Sequence, residues 1–116
     1  MSEIEAPLLP EIYGLLGNQR RLLTIRYLSM FNCGATVEVR HVARVVRGIE
    51  LGISPQNVGT ADYESAYNSL IQLHLPKLAG RGLIEYDVDR KTITTRAKID
   101  QYAFLASVGQ FVVRPE

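Results

Sequence analysis

Apolar residues recur every three to four positions along most of the chain, a spacing that is typical of amphipathic α-helices. The first such stretch covers Glu11–Leu16, and the second covers Gln19–Phe31 with Asn18 placed to cap its start. A third runs from Val39 to Gly52, where glycine can adopt the left-handed conformation that ends a helix. The pattern therefore predicts a mainly helical first half.

A fourth helix is predicted over Thr60–Ala79, after a loop of turn-forming residues at Ile53–Gly59. One side of this helix is apolar. The opposite side carries short polar residues and one proline: Ser65, Asn68, Ser69, Gln72 and Pro76. Proline removes one backbone hydrogen bond, so we expect a bend near Pro76. The polar residues on this face can all donate or accept hydrogen bonds.

The pattern changes to alternation after Gly82. Leu83–Val88 and Thr92–Thr95 each predict a strand, and the charged residues between them predict a hairpin turn. Thr36–Glu38 is compatible with a third, brief strand. The last segment, Ala97–Val113, is helical in period but apolar on most sides, so it requires more than one partner surface.

A second copy of the chain is the partner expected for that last helix. Its predicted interface residues are Tyr102, Leu105, Val108, Phe111 and Val112. The predicted architecture is a single domain over residues 1–116, mainly α-helical with a small β-hairpin. Residues 11–95 form its core, residues 97–113 form a dimerisation helix, and the N-terminal helix contributes to the same interface.

Composition narrows the class of protein. No apolar run approaches the length that crosses a bilayer, and the first ten residues lack the basic residues of a targeting peptide, so we expect a cytoplasmic protein with no membrane partner. The net charge is only +1, but six arginines and one acid lie between Ile12 and Ile49. A locally basic surface is compatible both with nucleic-acid binding and with ordinary solvated helix faces.

Candidate catalytic and metal-binding residues are few. The one cysteine, Cys33, is predicted to lie half-buried at a helix end, with a redox-sensing thiol as the alternative. His74 falls on the apolar side of its helix and is predicted to be a core histidine, whereas His41 is predicted to be exposed. No nucleophile motif, paired carboxylates or phosphate loop is present, so we expect no enzyme, no metal and no cofactor.

Two segments carry a family resemblance. Leu16–Ile25, which reads LGNQRRLLTI, resembles the opening helix of ArsR-type regulators. His74–Ile84, which reads HLPKLAGRGLI, resembles the end of the recognition helix in ArsR- and PadR-like proteins. The whole chain is also similar to small winged-helix regulators of halophilic archaea, including regulators of oxidative stress. The resemblance spans roughly residues 15–95.

The resemblance implies a winged helix-turn-helix protein that binds double-stranded DNA as a homodimer and regulates transcription in a stress response. The helix over residues 60–79 would enter the major groove, and the hairpin over residues 84–95 would be the wing. The residues implied to contact bases are Ser65, Asn68, Ser69 and Gln72. Arg90 and Lys91 would contact phosphates from the wing. Arg40, Arg44 and Arg47 would contact phosphates from the preceding helix.

Three points stay open from sequence. Arg20 and Arg21 could contact phosphates or brace the fold. The cysteine pair of metal-sensing ArsR proteins is missing from Val39–Gly48, so that route of sensing is not expected, and no other effector is indicated. A non-catalytic protein-interaction module is the alternative function, which exposed apolar residues on the helix over residues 60–79 would favour.

Overall fold

A computed structural model describes residues 14–112 of the chain, and the side chains of residues 14–108. The helices are α1 (Gln19–Leu28), α2 (Val39–Leu51), α3 (Thr60–Ser69), α4 (Leu75–Gly80) and α5 (Lys98–Val112), and the strands are β1 (Thr36–Glu38), β2 (Ile84–Asp87) and β3 (Thr92–Thr95). The architecture is mainly α-helical with a small sheet, as predicted. No helix in the described part of the chain is both long and apolar enough to cross a membrane.

Local hydrogen bonds determine where α1 begins and ends. Residues 14–16 are helical, while the rest of the predicted Glu11–Leu16 helix lies outside the described residues. The Asn18 side chain accepts a hydrogen bond from the backbone N–H of Arg21 at 3.0 Å and so caps α1. The helix was predicted to reach Phe31 but ends at Leu28, because the Met30 N–H turns to the Tyr27 carbonyl in a tighter three-residue turn.

The predicted fourth helix is a continuous helical segment over residues 60–80, which we call the composite helix. It consists of α3, a π-helical turn at Leu70–His74, and α4. The N–H of Leu75 bonds to the carbonyl of Leu70, one residue further back than in an α-helix. Pro76 has no N–H to donate, and its ring crowds the preceding turn. The helix therefore accommodates the proline by a widened turn. The sequence predicted a bend near Pro76 but not this π-helical turn.

The sheet anchors the hairpin to the helices. Its strand order is β1-β3-β2, with both pairs antiparallel, so the brief strand predicted at Thr36–Glu38 is confirmed as an edge of the sheet. Ile93 lies at its centre, opposite Val37 on one side and Tyr86 on the other. The N–H of Val39 also bonds to the carbonyl of Lys91 at 3.0 Å. The start of α2 and the end of the hairpin turn are thus held together.

The core lies between the helices and the inner face of the sheet. Its largest fully buried side chains come from α1, α2, the second half of the composite helix, the residue before β2, β3 and α5: Ile25, Leu28, Val39, Val42, Val46, Leu70, Leu75, Leu78, Leu83, Ile93 and Tyr102. Because the composite helix supplies several of these, its position relative to α1 and α2 depends on close packing.

Only some of the α5 residues that were predicted to form the dimer interface are exposed on the surface. Tyr102 is completely buried within the protomer and has no surface to offer a second copy. Leu105 is half-buried, Val108 is exposed, and Phe104, which was not predicted, is 67% exposed. The side chains of Phe111 and Val112 lie outside the described residues. Among the described side chains, the outward apolar surface of α5 therefore centres on Phe104 and Val108.

Cys33 lies in the turn between α1 and β1. It was predicted to be half-buried at a helix end, but it is exposed, because α1 ends earlier than the apolar pattern suggested and the residues that follow turn into solvent. His74, by contrast, is buried as predicted.

Gly48 offers a test of the packing on α2. A methyl group there would come within 2.8 Å of the Ile53 carbonyl oxygen. We expect Gly48→Ala to lower the free energy of unfolding by about 1–3 kcal/mol, although alanine has the higher helix propensity. Urea denaturation measures this change.

Gly80→Ala is the matched control, because a methyl group at Gly80 meets no atom within 4 Å. We expect it to be neutral or to stabilise by up to about 1 kcal/mol. Equal effects of the two substitutions would contradict the close approach between α2 and the loop after it.

Candidate nucleic-acid interface

The outer face of the composite helix is polar and accessible. Ser65, Asn68 and Gln72 are exposed along it. Ser69 is half-buried and turned toward α1, where its Oγ accepts a hydrogen bond from Nη1 of Arg20 at 2.9 Å. Three of the four predicted base-contacting residues are thus brought together on one free surface, and the fourth contacts another helix.

Two exposed residues near this face were missed by sequence analysis. Leu73 is 45% exposed next to Gln72, and Lys77 is exposed one turn further on. A helical wheel with a constant 100° step places Leu73 between the two faces, somewhat nearer the polar one. The π-turn advances less per residue, which rotates Leu73 outward. Pro76 was the one signal in the sequence that could have indicated this phase change.

The three α2 arginines have different surroundings. Arg40 pairs with Glu38 at 2.7 Å on the open surface, and Arg47 pairs with both Glu50 and Asp62. Arg44 forms no ion pair with the described residues; its guanidinium lies 4.5 Å above the Tyr63 ring, and Nη1 donates to the Val58 carbonyl.

Arg40 and Arg44, together with His41 and Tyr63, line a shallow groove between α2 and α3. The His41 ring is exposed there and shares a 2.7 Å hydrogen bond with the Tyr27 hydroxyl. Two half-exposed tyrosines of the composite helix, Tyr63 and Tyr67, lie next to each other with their ring centroids 5.6 Å apart.

Arg20 and Arg21 both brace the fold. Arg20 makes a two-pronged ion pair with Glu50, with both nitrogen–oxygen distances at 2.8 Å. Arg21 is buried and donates to the carbonyls of Gly14 and Leu15 and to Nδ1 of His74. The alternative that these two arginines contact phosphates is not supported, because their N–H groups are directed at protein atoms.

The Arg21–His74 contact joins α1 to the composite helix inside the core. A guanidinium can only donate, so Nδ1 of His74 must accept and therefore carries no proton. Burial, followed by the nearby charge of Arg21, lowers the pKa of His74 to about 4. The imidazole is thus neutral at physiological pH, with the Nδ1–Nη1 distance at 3.2 Å.

The hairpin turn presents its cations at one end of the sheet. The turn is closed by the Lys91 N–H bonding to the Asp87 carbonyl at 2.8 Å, while the Asp87 side chain accepts from the backbone N–H of Arg90. Lys91 has φ of +56° and its Nζ donates to the carbonyl of Val88. The Arg90 guanidinium is exposed and forms no ion pair with the described residues.

Metal-binding side chains are not clustered in the described part of the chain. Among residues 14–112, no three histidine, cysteine, aspartate or glutamate side chains lie close enough to hold a metal ion. The described surface does combine a polar helix face with the exposed arginines Arg44 and Arg90, and such a surface suits an anionic ligand.

A family model describes residues 13–94 as a domain of unknown function, DUF7344. The chain belongs to the DUF7344 family. The DUF7344 region includes α2, the composite helix and the hairpin turn, so it contains every residue of the candidate interface, whereas α5 lies outside it. No curated protein and no solved structure matches the chain.

Lowering the pH tests the buried His74. Its folded-state pKa is about 4, below the ordinary value of 6.5, so between these values the unfolded chain binds a proton that the folded protein excludes. Stability is therefore lost as the pH falls through this window, by about 2 kcal/mol between pH 7 and pH 5. Urea unfolding at several pH values measures it.

His74→Gln should remove most of this pH dependence, because a glutamine amide keeps an acceptor for Arg21 and does not titrate. His41→Gln, at the exposed histidine, is the control and should retain it. The same slope in wild-type and His74→Gln protein would show that His74 is not the group responsible.

Proposed function

We propose that this DUF7344 protein is a winged helix-turn-helix regulator of transcription that binds specific double-stranded DNA sequences. In this proposal, α2 and the composite helix form the helix-turn-helix and β2–β3 form the wing. The order helix, strand, helix, helix, hairpin and the three-stranded sheet are compatible with that fold. The resemblance of two sequence segments to ArsR- and PadR-like regulators points in the same direction.

The observation that carries the proposal is the outer face of the composite helix. The major groove of B-DNA admits one α-helix, and side-chain amides pair well with adenine. Asn68 and Gln72 lie four residues apart and are both exposed, so their amides project from the same side. Ser65 extends this surface toward the start of the helix. These residues would read the bases.

Phosphate contacts would come from cations that have no carboxylate partner. Arg44 on α2, and Arg90 and Lys91 in the hairpin turn, meet this condition within the described residues. Arg40 is paired with Glu38, but both side chains are more than half exposed. Such an exposed pair contributes little to stability, so a phosphate could replace Glu38 at little cost.

The active form in this proposal is a homodimer formed through α5. Phe104 and Val108 project from α5, and Met30 and Ile49 are exposed apolar residues lining the shallow groove between α1 and α5 that also holds Ala103. A two-fold axis beside this surface would pair it with itself. Two composite helices would then reach two half-sites.

A protein-interaction module is the second candidate. Leu73 favours it, because a leucine 45% exposed on the outer face of the composite helix is the kind of apolar contact that a protein partner would cover. Its neighbours on that face are polar, however, and DNA binding accounts for more of the surface.

Selection from a pool of random DNA duplexes tests the proposal. The full chain should enrich one sequence motif, and its affinity should fall steeply with salt, since each phosphate contact releases counterions. If no sequence is enriched and binding is absent or insensitive to salt, the protein-interaction module becomes the favoured function.

Gln72→Ala should relax base preference at one position of the enriched motif by about 1–3 kcal/mol, because the amide is the group that distinguishes bases. Competition between the motif and single-base variants in fluorescence anisotropy measures this discrimination. An unchanged preference at every position would remove Gln72 from the base-reading set.

Arg90→Ala should weaken binding to all DNA sequences alike and reduce the slope of log affinity against log salt by about one, since it removes one phosphate contact. Arg96→Ala is a suitable control, because Arg96 follows β3 at the end of the hairpin away from the turn. Affinity and slope that stay at wild-type values in Arg90→Ala would mean that the wing does not touch DNA.

A further inference from the structure

Four charged side chains form a chain of contacts beneath the candidate interface. Arg20 on α1 pairs with Glu50 on α2, Glu50 also accepts from Arg47 at 2.9 Å, and Arg47 bonds to Asp62 on α3 at 2.7 Å. Arg20 and Glu50 are mostly buried, with side-chain exposures of 19% and 13%. We call these four residues the inner charge cluster. It connects three helices.

The cluster contacts the composite helix at a second point, the hydroxyl of Ser69. Arg20 uses Nε and Nη2 for Glu50 and Nη1 for the Oγ of Ser69. Glu50 therefore fixes Arg20 in the orientation from which Arg20 holds Ser69. Ser69 lies between Asn68 and Gln72 in sequence, so this contact restrains the helix where its outer face is most polar.

The carboxylates of Glu50 and Asp62 balance the positive charge of Arg47. Hydrogen bonds from Arg20, the largest effect, and from Arg47 lower the pKa of Glu50, so Glu50 is ionised at neutral pH. Arg47 thus has one anion on each side, unlike Arg44, which has none within the described residues. An arginine held in this way is less available to a DNA phosphate.

We propose that Glu50 determines the DNA specificity of this protein as a positioning residue that never touches DNA. It keeps Arg47 as an internal counter-ion and keeps Arg20 on Ser69, which orients Asn68 and Gln72. This inference rests on the DNA-binding function proposed above, and it assigns to Glu50 and Asp62 a role in that function.

The physical reason is that specificity is a difference between two affinities. Phosphate contacts raise the affinity for every sequence, whereas base contacts raise it for one. Release of Arg47 would add a sequence-independent contact, and release of Arg20 would loosen the base-reading face. Both effects reduce the preference for the correct sequence.

The test compares Glu50→Gln and Asp62→Asn with Glu64→Gln in the full chain. Glu64 is exposed on the same helix as Asp62 and forms no ion pair with the described residues, so its substitution removes one negative charge without touching the cluster. Each variant is measured against the selected duplex and against a scrambled duplex over a range of salt concentrations, after circular dichroism has confirmed that it is folded.

We expect Glu50→Gln to bind scrambled DNA more tightly, to lose several-fold in preference for the selected duplex, and to steepen the salt slope by about one contact. Asp62→Asn should do the same to a smaller extent, because Asp62 is 44% exposed and, among the described residues, forms an ion pair with Arg47 alone. Glu64→Gln should tighten both duplexes equally and leave their ratio unchanged.

A double substitution separates positioning from simple loss of stability. Adding Arg47→Ala to Glu50→Gln should abolish the gain in affinity for scrambled DNA, which a merely destabilised protein would not show. A ratio and salt slope in Glu50→Gln that equal those of Glu64→Gln would overturn the inference while leaving DNA binding intact. Absence of DNA binding by the wild-type chain would overturn the proposed function itself, and this inference with it.

Discussion

The contact between Arg21 and His74 is the constraint on which the arrangement of helices depends. It places a permanent cation and a neutral imidazole together in the core, at the junction of α1 and the composite helix. A buried charge is tolerated only when its hydrogen bonds are satisfied, and here two backbone carbonyls of residues 14–15 complete the set. The π-turn ends at His74, so the same contact lies where the composite helix changes its period.

The arginines of this chain fall into two groups with different physical roles. Arg20, Arg21 and Arg47 are directed inward at carboxylates, carbonyls or the imidazole and stabilise the packing of helices. Arg44 and Arg90 are exposed and form no ion pair with the described residues. This separation leaves some arginines exposed in a protein whose net charge is only +1.

The elements of the fold were largely predictable, because each has a local cause. Asn18 caps α1, Gly52 ends α2 in the left-handed conformation, and the alternation after Gly82 produces the hairpin. Contacts between distant residues were not predictable in the same way. The partnership of Arg20 with Glu50 and Ser69 joins positions 30 and 49 residues apart, and no pattern along the chain reveals it.

The candidate site was predictable only in part, for the same reason. Periodicity identified the polar face of the composite helix. It could not show that Ser69 turns inward or that the π-turn exposes Leu73. Nor could it show that Arg47 is already paired with carboxylates. Tyr102 was assigned to a dimer surface from its place in an apolar helix, although a buried position in its own core satisfies the same pattern.

Site-directed photo-crosslinking tests most directly whether the outer face of the composite helix lies in the major groove of DNA. Cys33 is the only cysteine of the chain, so Cys33→Ser allows a photoreactive probe to be attached at Asn68→Cys or, as a control, at Phe104→Cys. The probe at position 68 should crosslink to bases in the centre of the bound site, and the probe at position 104 should not. Crosslinks from position 104 but none from position 68 would contradict this placement of the helix.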